Sequence, residues 1–213
     1  MNPVCPVCLG NQARWFQDVD LRRYWRCERC QATFLDPDQL PDRATEKSEY
    51  DRHQNDPHDS GYRRFLGRLT EALLTRLAPG SEGLDYGCGP GPALARMMTE
   101  AGHKMAVYDP IYAPDRRALD KRYDFITCTE TAEHFHHAYR EFERLNTLVK
   151  PGGWLALMTR FQTDDDRFAN WHYRRDPTHV VFYRPETFDW LGQHWSWEVE
   201  IMTPDRVLVR TSS

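Results

Sequence analysis

The apolar positions change period several times along the chain, and each change marks an element. Ala13 to Phe16 and Arg23 to Arg26 read as the two short strands of a hairpin. After a stretch rich in turn residues, Tyr50 to Gly61, five apolar residues (Phe65, Leu66, Leu69, Leu73 and Leu77) recur at three- and four-residue spacing. That spacing predicts a helix capped by Asp59 or Ser60 and ended by Pro79-Gly80. A short apolar strand ends at Tyr86, and Ala93, Leu94, Ala95, Met97 and Met98 continue into a second helix. Pro92 stands near its first turn, where a missing N–H costs nothing. Lys104 to Asp109, Tyr123 to Glu130 and Trp154 to Thr159 read as strands, and Ala138, Phe142, Leu145 and Val149 mark a helix between the last two. Trp195, Trp197, Val199 and Ile201 alternate with Ser196, Glu198 and Glu200, which predicts a strand beginning at Trp195. Val207 to Val209 is its antiparallel partner across a turn at Thr203-Pro204-Asp205. Strands alternating with helices predict an α/β fold.

Composition narrows this little. The 213 residues suit one domain with a small module attached, and 40% hydrophobic residues with 13% aromatic exclude global disorder. A net charge of −4 argues against wholesale electrostatic binding to nucleic acid. No run approaches the ~18 apolar residues of a membrane span, and no apolar signal region opens the chain. A cytoplasmic protein without a membrane partner is therefore expected.

The cysteines change the picture more. Cys5 and Cys8 form one CxxC pair and Cys27 and Cys30 another, with 18 residues between the pairs. This is the spacing of a zinc ribbon: each two-residue gap lets two thiolates reach one ion, and two knuckles complete a tetrahedral site. Four thiolates leave no open position, so the Zn2+ is read as structural. Arg22, Arg23, Arg26 and Arg29 cluster beside Tyr24 and Trp25. They can bind RNA phosphates and bases, or pack the hairpin on the next domain. The acidic stretch from residue 31 to 49 favours packing.

Gly83 to Gly91 reads GLDYGCGPG, a strand end running into a glycine loop and a helix start. The spacing G-x-G-x-G differs from the G-x-G-x-x-G of dinucleotide enzymes, which disfavours a nicotinamide oxidoreductase. Asp85 at the strand end suits a ligand carrying an ammonium group. Asp109 ends the next strand 18 residues past Gly91, the usual place for a carboxylate that grips two ribose hydroxyls.

Together, LDYGCGPG, YDFITCTE (Tyr123 to Glu130), Glu133-His134, Lys150-Pro151-Gly152-Gly153 and Asp176-Pro177-Thr178-His179-Val180 with Phe182-Tyr183 resemble the motifs of class I S-adenosylmethionine-dependent methyltransferases of the small-molecule and ubiquinone type. The resemblance spans residues 81 to 213 and implies a Rossmann-like sheet. It implies that Asp85, Gly87, Gly89 and Gly91 line the methionine moiety. It implies that Asp109 binds the ribose, Pro110 and Ile111 flank the adenine, and Thr129 and Glu130 lie beneath the sulfonium. Only 12 residues separate Asp109 from Tyr123-Asp124, too few for the family's usual helix and third strand, so that strand is expected to be missing.

Methyl transfer needs a base only where the acceptor atom carries a proton. His134, His179 and Tyr183 are the catalytic candidates. His134 can instead anchor a loop, His179 can be a satisfied buried histidine, and His136 and His137 can cap the next helix. The stretch from 161 to 184 is long enough to wall an active site. Asp164-Asp165-Asp166 reads as a solvated turn. A second metal site among the histidines has no fixed-spacing motif behind it. The resulting division is a zinc ribbon at 1–49, a connector at 50–80 and a methyltransferase domain at 81–213. A small-molecule acceptor is expected ahead of RNA. The rival readings are an RNA methyltransferase using its ribbon, or a binding module on a methyltransferase fold.

Overall fold

The computed structural model describes residues 2–52 and 56–212. His53 and Asn55, which with Tyr50 can fold over a ligand pocket on sequence grounds, lie outside the described residues. The first part of the chain forms β1 (Ala13–Val19), β2 (Arg22–Cys27), β3 (Thr33–Leu35), α1 (Arg43–Tyr50) and α2 (Ser60–Leu74). The core follows with β4 (Glu82–Tyr86), α3 (Ala93–Glu100), β5 (Lys104–Tyr108), β6 (Tyr123–Thr129), α4 (Ala138–Leu148) and β7 (Val149–Met158). The last part holds α5 (His172–Arg175), β8 (Val181–Phe182), α6 (Pro185–Trp195), β9 (Glu198–Met202) and β10 (Arg206–Arg210).

Six strands make the main sheet in the order β5-β4-β6-β7-β10-β9. β5, β4, β6 and β7 run parallel, while β10 lies antiparallel between β7 and β9. Alternation along each strand sends side chains to opposite layers. Ala156, Met158, Leu208 and Phe125 pack under α2 and α3, against Leu66, Leu69, Leu73, Leu94 and Met98. Ile126, Leu155, Leu157, Val207 and Val209 face the other way, toward Phe142 and Leu145 of α4 and Phe188 and Leu191 of α6. β5 ends the sheet, and a 3-10 turn at Arg116–Leu119 is the only named element between it and β6. Among the described residues no third strand lies between β5 and β6, as the short interval requires.

The ribbon sheet is β1-β2-β3-β8, so its fourth strand comes from late in the chain. Thr33 pairs with Phe182 and Phe34 with Val181. Tyr24 is fully buried and meets the rings of Phe168 and Phe182 at 4.9 and 6.0 Å. Of the hairpin arginines, Arg26 turns inward and Arg22 is half-buried, while Arg23 and Arg29 stay exposed. Arg26 is buried and donates to Asp165 (2.8 Å) and Thr33 (2.7 Å), Arg22 donates to the Pro177 carbonyl, and Arg23 pairs with Asp18. Asp165 also meets Arg184, so this half-exposed carboxylate is a counter-ion for two arginines, while Asp164 and Asp166 on either side stay exposed, as a solvated turn predicts.

Three boundaries differ from the sequence reading. α2 ends at Leu74, five residues before Pro79. β7 begins at Val149 and carries Pro151-Gly152-Gly153 as an irregularity within one strand, with a register shift opposite Tyr123 and Phe125. Trp195 is the last residue of α6, because Ser196 takes a left-handed conformation (φ 56°) and the Trp197 N–H returns to the Gly192 carbonyl. The alternating pattern starts three residues too early: Trp195 and Trp197 share a side, stacked at 4.9 Å, but across the helix end and not along a strand. No described helix is long and apolar enough to cross a membrane.

Candidate active site

The carboxyl ends of β4, β5 and β6 open onto a cavity of about 840 Å³, a volume suited to a ligand larger than a single metabolite ring. Parallel strands leave such a crevice where successive loops diverge. One wall is the glycine loop. Gly87 has φ +77°, and a Cβ there would lie 2.2 Å from the Thr131 methyl group, so neither the backbone nor the space admits another residue. The Gly89 N–H donates to Asp109 Oδ2 (3.1 Å). The other Asp109 oxygen accepts from the N–H groups of Ile111 (2.8 Å) and Tyr112 (2.9 Å). One carboxylate therefore fixes the glycine loop and the 110–112 turn relative to each other while facing the cavity.

Asp85 is buried beneath the loop and accepts from the Thr127 hydroxyl (2.9 Å). Burial pushes its carboxyl up to about 6, and the Thr127 hydrogen bond opposes the rise. A buried carboxylate near a cavity wall is an acceptor for a cationic group.

The opposite end is built from the segment after β6 and the 171–179 loop. Glu133 is fully buried and takes the Tyr173 hydroxyl on Oε1 (2.5 Å). Its Oε2 has no hydrogen-bond partner among the described residues. Removal from water pushes the acids of Glu133 and Glu130 upward, Glu130 further through the neighbouring Glu133 charge. His134 Nδ1 meets the Thr178 carbonyl (3.0 Å) and His179 Nδ1 the Tyr173 carbonyl (2.6 Å). A carbonyl only accepts, so each Nδ1 carries the proton and Nε2 is the basic nitrogen in each neutral ring. The two rings lie 4.7 Å apart, and Tyr50 of α1 meets His134 edge-on at 5.1 Å. Desolvation, and then His179, hold the His134 imidazolium below its ordinary range. Ligand atoms of Glu133, His134 and His179 lie within 4.8 Å of one another.

Asp85, Gly87, Gly89, Asp109, Pro110, Ile111, Thr129, Glu130, His134 and His179 all line this cavity. Two candidates do not. Gly91 lies behind the loop, with its carbonyl accepting the Ala93 N–H. Tyr183 is fully buried and donates its hydroxyl to the Ala132 carbonyl (2.8 Å). A committed hydroxyl away from the cavity is a strut, not a base. His137 occupies the position before α4 without a side-chain cap, and His136 Nε2 instead meets Glu46 Oε1 (2.9 Å). Residues the sequence did not single out are Arg43 and Glu46 of α1, Tyr62 of α2, and Tyr112. They come from segments with no motif, so only the fold brings them here. Cys88 lines the cavity and Cys128 is buried; burial pushes both thiols up, the former to about 12.

The four ribbon cysteines form a second centre. All are buried, and the ligand atoms lie within 4.8 Å of one another. Sγ atoms of Cys5 and Cys30 are 3.6 Å apart, and those of Cys8 and Cys27 are 3.5 Å apart. Four sulfurs at ~2.3 Å from one ion in a tetrahedron sit slightly less than 4 Å apart, so the donor set fits zinc. The knuckles repeat one geometry: Leu9 N–H returns to the Cys5 carbonyl and Gln31 N–H to the Cys27 carbonyl, with Leu9 and Gln31 both left-handed.

Comparison with known proteins agrees with this geometry. The model of a methyltransferase domain family matches residues 58–200. The chain has no significant match among curated proteins. Among solved structures, it resembles an O-methyltransferase family protein from Burkholderia thailandensis, with a TM-score of 0.50 and 14% identity over 79% of this chain. That match spans 63% of the longer Burkholderia chain. It also resembles a chain of the complex between the Haloferax volcanii Trm112 methyltransferase activator and a methyltransferase. There the TM-score is 0.53 and the identity 10%, over 78% of this chain and 98% of that one. At these identities the likeness is one of fold.

Proposed function

Because this chain belongs to the methyltransferase domain family, we propose that it uses S-adenosylmethionine to methylate a small molecule enclosed between the glycine loop and the His134–His179 pair. The observation that carries this reading is one cavity with a glycine loop and Asp109 at one end and two tautomer-fixed imidazoles at the other. When bound, the cofactor supplies an electrophilic methyl group on a sulfonium. Asp85 offers a buried carboxylate to the amino acid part, Asp109 holds the ribose hydroxyls, and Thr129 and Glu130 line the floor between the two ends. His134 Nε2 would hold the proton that the acceptor's nucleophilic atom gives up as the methyl carbon passes from sulfur to that atom. His179 keeps the His134 ring in place by packing against it. The four cysteines hold a structural zinc ion, a chemistry that suits a reducing, cytoplasmic compartment.

A small acceptor is favoured over RNA because Arg22 and Arg26 of the hairpin are spent on partners late in the chain, which leaves only Arg23 and Arg29 of the four exposed. Incubation with labelled S-adenosylmethionine and fractionated extract is expected to label the low-molecular-weight fraction. Label confined to RNA would replace the acceptor class, and no turnover would leave a binding module.

Two pH effects are expected. A cofactor ammonium favours the ionised Asp85, whose carboxyl protonates near pH 6 in the free protein. Below that value binding must expel a proton, so affinity for S-adenosylhomocysteine falls about 10-fold per pH unit. Asp85→Asn binds more weakly and without this slope; a slope that persists in the variant removes Asp85 from the ammonium site. His134→Ala lowers kcat by about 100-fold or more while cofactor affinity stays within a few-fold. The acid limb of the wild-type profile, set below the ordinary histidine range, disappears with it. An unchanged profile would assign the base elsewhere.

A further inference from the structure

We infer that helix α1 replaces the missing third strand as the wall of the adenine end, with the Glu46 carboxylate accepting the 6-amino group of the base. The inference rests on the S-adenosylmethionine reading above.

Beyond β5 the sheet ends, and no described strand covers the turn that follows Asp109. The resemblance implies that the base lies beside Pro110 and Ile111, both of which line the cavity, so that side needs another wall. α1 lies across it. Arg43 Nη2 donates to the Pro110 carbonyl (3.1 Å), and the Tyr112 hydroxyl donates to Asp51 (2.6 Å), the residue that ends α1. Glu46, in the middle of the helix, meets His136 (2.9 Å) on the far wall, so the helix spans the cavity from the β5 turn to the segment after β6. Both Arg43 and Glu46 line the cavity.

The composition of α1 strengthens the case. Its sequence is RATEKSEY, and none of its residues is buried. An eight-residue helix is marginal alone, and one without buried side chains gains little from the core. Its contacts to the 110–112 turn are polar, through Arg43 and Asp51, while Tyr50 at its end meets the His134 ring. Adenine presents a donor at its 6-amino group, which a carboxylate accepts. Hypoxanthine presents a carbonyl oxygen there, which a carboxylate repels.

The test compares S-adenosylhomocysteine with S-inosylhomocysteine by calorimetry on the full chain. Wild type is expected to bind the adenosyl compound and to discriminate against the inosyl compound by at least 10-fold. Glu46→Gln is expected to weaken the adenosyl compound about 10-fold and to narrow the discrimination, because an amide can donate to the 6-oxo group. Its melting temperature should stay close to wild type, since the change conserves shape and weakens only the contact to His136. Equal affinity of wild type and Glu46→Gln for the adenosyl compound would overturn the inference. So would parallel losses for both compounds, which would make α1 a cover without base contact. A wild-type chain that binds neither compound would instead overturn the cofactor reading itself.

Discussion

Replacing Asp109 with alanine is expected to lower affinity for S-adenosylhomocysteine by about 100-fold or more. Two losses combine. The first is direct: a carboxylate holding two ribose hydroxyls makes charge-assisted hydrogen bonds, each worth about 1.5–3 kcal/mol. The second is local: the same carboxylate accepts the N–H groups of Gly89, Ile111 and Tyr112. Alanine leaves all three donors without this acceptor and frees the glycine loop from the 110–112 turn. Asp109→Asn separates the two effects. Its remaining oxygen can keep one set of backbone bonds, so it should melt closer to wild type than the alanine variant while still binding the nucleoside weakly. Calorimetric titration and thermal melting of both variants check this. Full affinity in Asp109→Ala would show that the ribose is held elsewhere.

The other large effect lies at the cysteines. Cys27→Ser, or removal of metal by a strong chelator, is expected to unfold the ribbon. A structural zinc site of this kind contributes on the order of 10 kcal/mol to its module, more than a three-stranded sheet of this size supplies alone. The damage should reach the cavity. The Leu35 N–H donates to the Val180 carbonyl (2.9 Å), and the Val180 N–H donates to the Glu133 carbonyl (2.8 Å). His179 precedes Val180, and His134 follows Glu133. Loss of β3 therefore displaces both imidazoles, and a shift of ~1 Å in reacting groups costs about 100-fold in rate. Among the described residues no hydrogen bond joins β1, β2 or β3 to the glycine loop or Asp109, so cofactor affinity should fall less than kcat. Metal content by plasma emission, the melting curve and cofactor titration measured together check the sequence of effects. A metal-free Cys27→Ser protein with wild-type melting and turnover would reduce the cysteines to ordinary core thiols.

Much of this was legible in the residues. The glycine loop, the acid that follows β5 and the two CxxC pairs are local patterns whose chemistry depends on short spacing; the fold brings the first two to one cavity and the four cysteines together. The missing third strand followed from a count of residues. What the sequence concealed is what only tertiary contact creates. Arg26 reads as part of a basic patch, yet its charge is balanced by Asp165, far along the chain. Tyr183 sits in the same motif as His179, yet it follows β8 into the core, where its neighbours are buried too, and commits its hydroxyl to Ala132. α1 has no apolar stripe, so periodicity could not announce it. Trp195 satisfied a period of two by accident, and the left-handed Ser196 decided its place in α6.

The pairing of β3 with β8 has a consequence for how the protein is made. Phe34 meets Val181 roughly 150 residues further along, which is on the order of 10 s of synthesis at ribosomal rates. The knuckles can take up metal as soon as Cys30 clears the exit tunnel, but their sheet then waits with β3 as an open edge. During that interval the nascent chain exposes a strand that invites pairing with a neighbour. The short length of β3, three residues, limits that hazard until β8 arrives, so the last step of ribbon assembly coincides with delivery of His179 to the cavity.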